Sequence, residues 1–201
     1  SLRNVDLFDS VTTIGARAFA GCTQLEALTL PDSLTTIGEG ALDGLTGLKK
    51  LVIQCDPAII PAGVFANLPA LSDVTIEFGA IPAHMFEGSG VTVLTLGAGV
   101  TEIGDSAFAN TALTTAEMQN VTAIGAGAFA NTALTSAEIQ NVTAIGAGAF
   151  EGSALERVQL NAAASVGERA FANTKLTKMV IPTAGSFPLS AVEGTSADLR
   201  L

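Results

Sequence analysis

The sequence contains no tryptophan and no tyrosine; its only aromatic residues are ten phenylalanines. Two of the residue types that dominate binding hot spots are thus missing, as are the side chains that usually stack on sugars in a hydrolytic cleft. Cysteine is limited to Cys22 and Cys55, too few for a disulfide framework. A bridge between them would need the chain to bring their Cα atoms within about 7 Å. His84 is the single histidine. No second His or Cys is spaced to share a metal with it, and no nucleophile elbow accompanies it to form a catalytic triad. Positive charge is also scarce: no Lys or Arg occurs between Lys50 and Arg157, a span that carries Asp56, Asp73, Glu77, Glu87, Glu102, Asp105, Glu117, Glu138, Glu151 and Glu156. With a net charge of −10, nucleic acid is excluded as a partner, because phosphate binding rests on Lys and Arg. The acidic surface repels anionic membranes and attracts basic partners or cations; it also keeps an Ala-rich chain soluble. No run of about 18 uncharged apolar residues exists, so no membrane-spanning helix is expected. No signal peptide is visible at Ser1. The chain starts and stops in mid-repeat, as a trimmed segment would.

What the sequence does have is repetition. Residues 110–130 read NTALTTAEMQNVTAIGAGAFA and residues 131–151 read NTALTSAEIQNVTAIGAGAFE. A near-copy after 21 residues marks a stacked repeat array. One column runs Phe19, Leu42, Phe65, Phe86, Phe108, Phe129, Phe150, Phe171, Val192. A second runs Leu7, Leu30, Ile53, Ile76, Leu96, Met118, Ile139, Leu160, Ile181, Leu201, and both shorten from about 23 to about 21 residues along the chain. Residues 1–201 are therefore expected to form one domain of about nine repeats, truncated at both ends.

Each repeat has three parts. L-x-x-V-x-L alternates like a short strand. T-x-I-G, as at Thr122–Gly125, reads as a second short strand turning at a glycine where positive φ is cheap. A-F-x-x is too short for an α-helix and is expected to be a single helical or 3₁₀ turn with Phe tucked inside. Equivalent strands must then lie parallel about 4.8 Å apart, and each coil depends on its neighbours for burial. Residues 54–63 and the stretch EFGAIPAHMF at 77–86 depart from the motif and are expected to reshape the outside.

The phrase VTTIGARAFAGCTQLEALTLP at Val11–Pro31 resembles the BspA-like class of leucine-rich repeat, with Cys22 at that family's Cys position. The resemblance covers the whole chain, although later repeats lose one residue and write Phe-Ala-Asn-Thr or Phe-Glu-Gly-Ser instead. It implies a right-handed leucine-rich-repeat solenoid, mainly β, of the kind found on bacterial and protist surface proteins, extracellular and acting in adhesion or protein interaction.

On parallel strands the outward residues form a strip. Its densest polar part is Thr115, Glu117, Gln119, Ser136, Glu138, Gln140, Arg157, Gln159 and Asn161, the candidate partner-binding residues. Glu117 and Glu138 are expected side by side. They either grip a cation or a partner's basic side chain, or splay into water with Arg157 easing the repulsion. Paired carboxylates also serve glycoside hydrolysis, but no stacking aromatics accompany them. Asn120 and Asn141 are expected at a corner as an amide ladder serving turn backbone; both also read N-x-T. The GAGAF stretches lack the Lys of a phosphate loop. The reading is a non-enzymatic module without cofactor, binding a protein of a host or neighbouring cell through the strand face; the alternative is a spacer that presents another domain. The uncapped apolar ends predict end-to-end self-association, aggregation-prone edges, or further sequence at each end.

Overall fold

The computed structural model describes residues 2–160, 164–180, 187–195 and 198–200. The chain winds as a parallel β-solenoid with two strand legs and one turn leg per coil. The first strand leg contains β2 (Ala27–Leu30), β4 (Lys50–Ile53), the first halves of β5 (Asp73–Ile81) and β6 (Val93–Ile103), then β7 (Thr115–Glu117), β9 (Ser136–Glu138), β11 (Arg157–Gln159), β13 (Lys178–Val180) and β14 (Asp198–Arg200). The second leg is the T-x-I-G piece: β1 (Thr13–Ile14), β3 (Thr36–Ile37), the second halves of β5 and β6, β8 (Ala123–Ile124), β10 (Ala144–Ile145) and β12 (Ser165–Val166). Every pairing is parallel and joins residues one repeat apart, as in Leu51↔Val74 and Ile103↔Ile124.

The interior is a set of columns. Phe65, Phe86, Phe108, Phe129, Phe150 and Phe171 are fully buried and stacked, with centroids 5.2–5.9 Å apart and ring planes within 3–11°. A spacing slightly wider than the strand separation is what offset stacking requires. Leu42 fills the Phe rung in the second coil, so Phe19 has no ring beside it and is only half-buried. The Ile column is unbroken where the motif departs: Ile60 and Ile81 sit in it, both buried. The departures at 54–63 and 77–86 therefore do not remove the second leg. The first turns it into a 3₁₀ turn at Pro57–Ile59, capped by Asp56. The second continues β5 through the corner to Ile81, with register shifts against β6 between Ile76 and Phe78 and between Gly79 and Ala80.

Over most of the chain the A-F-x-x leg is a run of hydrogen-bonded turns, and it takes 3₁₀ geometry at Leu189–Val192. Its amides bond to the next coil: Phe108 N–H to Ala128 O at 2.8 Å, and Phe129 N–H to Ala149 O at 2.7 Å. Two left-handed residues per coil turn these groups along the solenoid axis. One column is Gly21, Gly44, Asn67, Gly88, Asn110, Asn131, Gly152, Asn173 and Gly194, all with φ between 54° and 73°, and all Gly or Asn, the residues that tolerate this region. The other left-handed column includes Ser106, Gly127 and Gly148.

The glycine of T-x-I-G has a different reason from the one expected. Gly38, Gly104, Gly125, Gly146 and Gly167 do not adopt positive φ; a Cβ there would lie 2.4–2.6 Å from a backbone nitrogen of the preceding coil. Close packing between coils excludes a side chain. At Gly15 there is nothing within 4 Å.

The position of Cys22 becomes Ser or Thr in later repeats. Thr111, Thr132 and Thr174 are buried, and each hydroxyl donates to the carbonyl of the Phe three residues earlier at 2.8–2.9 Å. Such a hydroxyl, with a partner built into its own turn, replaces the thiol without an unsatisfied polar group; at the equivalent Ser153 the buried Oγ has no such partner. Cys22 and Cys55 are both free thiols.

Candidate functional site

Strand alternation decides what faces outward. In β7 and the residues that follow it, Ala116 and Met118 are buried while Thr115, Glu117 and Gln119 are exposed. The next coil repeats this with Ser136, Glu138 and Gln140 exposed. In β11, Val158 is buried between exposed Arg157 and Gln159. Register pairs Thr115 with Ser136, Glu117 with Glu138, and Ser136 with Arg157. The strip is continuous over these eight residues; the ninth, Asn161, lies outside the described residues.

Glu117 and Glu138 are direct neighbours across adjacent strands, a repulsive pair by cross-strand rules. Arg157 stands opposite Ser136 rather than Glu138, and among the described residues no ion pair joins it to either carboxylate. The expected relief by Arg157 is therefore absent as a contact. The ion pairs lie elsewhere. Lys49 meets Glu26 at 3.0 Å and Lys50 meets Asp73 at 3.5 Å at one end of the array. On the turn leg, Arg169 bridges Glu151 and Glu193, and this guanidinium holds the Glu151 carboxyl below its usual range. The acidic strip carries no such clamp.

Of the two corner amides, Asn141 serves backbone: its Nδ2 donates to Gln119 O of the previous coil at 2.6 Å. A second amide contact, invisible to the sequence reading, runs through the left-handed column, where Asn131 Nδ2 donates to Asn110 Oδ1 at 3.1 Å. Its only signal was the recurrence of Asn three residues before a Leu-Thr pair, at Asn110, Asn131 and Asn173. His84 is occupied by Glu87, 2.7 Å away. Among the described residues no group of three or more His, Cys, Asp or Glu is placed to hold a metal ion, and no helix is long and apolar enough to cross a membrane.

One feature of this face has no counterpart elsewhere among the described residues. The first-leg ladder runs β2, β4, β5, β6 and then restarts as β7, β9, β11, β13, β14; β6 and β7 are not paired. Two openings of about 180 and 200 Å³ lie along this seam, and Glu117 and Leu96 line both.

A family model for the BspA type leucine-rich repeat region, with six copies, matches residues 1–113 and 79–194. Among solved structures the chain is similar to a leucine-rich repeat protein from Bacteroides ovatus, at 18% identity and TM-score 0.44, over 96% of this chain and 76% of that one. It is also similar to a leucine rich cell surface protein from Faecalibacterium prausnitzii, at 19% identity and TM-score 0.35, over 94% of this chain and 82% of that one. No curated protein matches the sequence.

Proposed function

The chain belongs to the BspA type leucine-rich repeat family, and from that premise we propose that residues 1–201 are one non-enzymatic array, secreted or displayed at a cell surface, that binds a protein of a host or neighbouring cell through the outward face of the first strand leg. The observation that carries this reading is the in-register polar strip around Glu117 and Glu138. A stack that places two unpaired carboxylates side by side accepts a small destabilisation, which a basic partner surface would reverse. The test is capture of surface proteins by the immobilised chain, compared with the double charge reversal Glu117→Lys, Glu138→Lys. Loss of a captured partner on charge reversal supports the strip; unchanged capture removes it. The spacer reading is favoured by one fact, the near-identity of residues 110–130 and 131–151: a dedicated contact face gains from diversity at its exposed positions, whereas a stalk does not. A chain that captures no surface protein, yet extends the reach of a fused reporter, would decide for the spacer.

A further inference from the structure

Two prolines part the third coil from its neighbours. Gly38, Gly104, Gly125, Gly146 and Gly167 close the T-x-I-G piece, and each donates its N–H to the Ile carbonyl of the coil before, as Gly38 does to Ile14 O and Gly104 to Ile81 O, both at 2.8 Å. Pro61 and Pro82 hold this place in the third and fourth coils. Proline has no N–H to donate, and its ring stands where those glycines leave no room for a Cβ. The second leg loses its ladder here: β3 pairs only with β1, and the far half of β5 only with β6. The turn leg loosens as well. Phe19 N–H reaches Ala41 O at 2.8 Å and Phe86 N–H reaches Ala107 O at 2.9 Å, while Leu42 and Phe65 make no such bond to the next coil. Phe65 and Phe86 are the most widely spaced rings of the stack, at 5.9 Å.

The gap is bounded on both sides. On the first leg β4 and β5 stay in register through Ile53↔Ile76, and past the Phe column the coils rejoin where Asn67 N–H reaches Glu87 O at 2.8 Å. Between these points the third and fourth coils leave a groove of about 580 Å³ lined only by Ala, Ile and Pro. Ile60 and Ile81, both buried, form its floor. Ile59 and Pro82 are half-buried, and Pro61, Ala62 and Ala80 are exposed. Carboxylates stand around it. Glu102 is the register partner of Ala80 on the next strand. Asp105 follows Gly104 in that coil as Ala83 follows Pro82, and Glu39 holds the place of Ala62 in the second coil. All three are exposed, and among the described residues none takes part in an ion pair. No Lys or Arg occurs between Lys50 and Arg157; on these two legs the nearest is Arg17, two coils before the third.

We propose that this groove docks a segment of a protein partner that carries two aliphatic side chains between Lys or Arg residues. An apolar patch rimmed by polar groups marks an interaction site, and here the rim selects the charge of what it takes. The aliphatic side chains cover Ile59, Pro61, Ala80 and Pro82 and leave water. The flanking cations meet Glu102 and Asp105 on one side and Glu39 on the other. A fatty acid, apolar but anionic, is repelled by the same rim, and so is a second copy of this chain, with its net charge of −10. The groove lies on the second leg, apart from the first-leg strip around Glu117 and Glu138. It is a further surface and does not rest on the reading of that strip.

The experiment titrates the ¹⁵N-labelled chain with capped Arg-Leu-Val-Arg, and with Glu-Leu-Val-Glu and Arg-Gly-Gly-Arg, following backbone amide shifts. The expected result with Arg-Leu-Val-Arg is shifts centred on Ile59, Ile60, Ala62, Ala80 and Ile81. Arg-Gly-Gly-Arg should bind at least about tenfold more weakly, because the apolar burial is lost, and Glu-Leu-Val-Glu should not bind. Ala80→Lys, at an exposed position in the groove, should abolish binding; Ala144→Lys, exposed at the same place three coils on, should change it less than about twofold. Glu102→Gln should weaken it about two- to threefold, the scale of an exposed ion pair. The double charge reversal at Glu117 and Glu138 should change it less than about twofold at about 0.15 M salt; loss of binding there would move the site to the strip and overturn the groove. No shift with Arg-Leu-Val-Arg, equal binding of Arg-Gly-Gly-Arg, or shifts spread over the acidic surface would overturn it as well. Binding of Glu-Leu-Val-Glu would overturn the basic partner, and concentration-dependent shifts in the same amides without peptide would give the groove to a second copy instead.

Discussion

At the residue scale, two kinds of glycine do different work in each coil. Gly127 and Gly148 adopt positive φ, which disfavours any side chain through the backbone itself. Gly125 and Gly146 have ordinary backbone but no room, because the coil before them is already there. Gly146→Ala is therefore expected to cost about 2–3 kcal/mol in denaturant unfolding, the scale of a steric clash in a packed core. Gly15→Ala, at the equivalent position with open space around it, should be neutral or stabilise by about 0.4–1 kcal/mol through the unfolded chain. Equal losses at both sites would refute the packing explanation. Cys55 makes a second prediction at this scale. Burial pushes its thiol up to about 11 from 9.0, so the fold favours the protonated form. Stability from this group is intact below about pH 9 and falls as pH rises toward 11, by roughly 2–3 kcal/mol in total, since each pKa unit is worth about 1.4. Stability measured from pH 8 to 11 should fall more steeply than in Cys55→Ala, and a thiol reagent at pH 8 should label half-buried Cys22 well before Cys55.

At the element scale, the strands are only two to four residues long over most of the chain, far too short to stand alone, and what secures them is the column behind them. Phe129 lies between Phe108 and Phe150 at 5.6 and 5.4 Å. Phe129→Ala should cost about 3–5 kcal/mol in chemical denaturation; a loss below about 1 kcal/mol would mean the ring contributes nothing to the stack. Much of this was legible beforehand. The Phe and aliphatic columns follow from the period, and the outward set from strand alternation. The turn leg was less legible: A-F-x-x by itself does not reveal that its amides point along the axis rather than back into a helical turn. That orientation comes from the paired left-handed residues, and the Gly/Asn column is their signature.

At the scale of the whole molecule, the solenoid is an open-ended stack in which each coil depends on its neighbours. Deleting residues 131–151, a full period of 21, should leave a folded solenoid with the same circular dichroism shape per residue and a modestly lower melting temperature. Deleting 20 residues from the same place should disrupt the stack, because a one-residue slip turns the interior set outward. If both deletions melt alike, register is not what holds the array together.

The sequence by itself determined the period, the parallel coil, the buried columns and which side chains face outward, because these follow from spacing and alternation alone. It also carried the charge imbalance of the middle of the chain. The tertiary structure decided the rest. The need for glycine after Ile depends on how near the previous coil lies. Arg157 falls opposite Ser136 because of inter-strand register. The break in the first-leg ladder beside Glu117 lies between β6 and β7, where two coils meet. None of these is a property of a single repeat; each arises between neighbours.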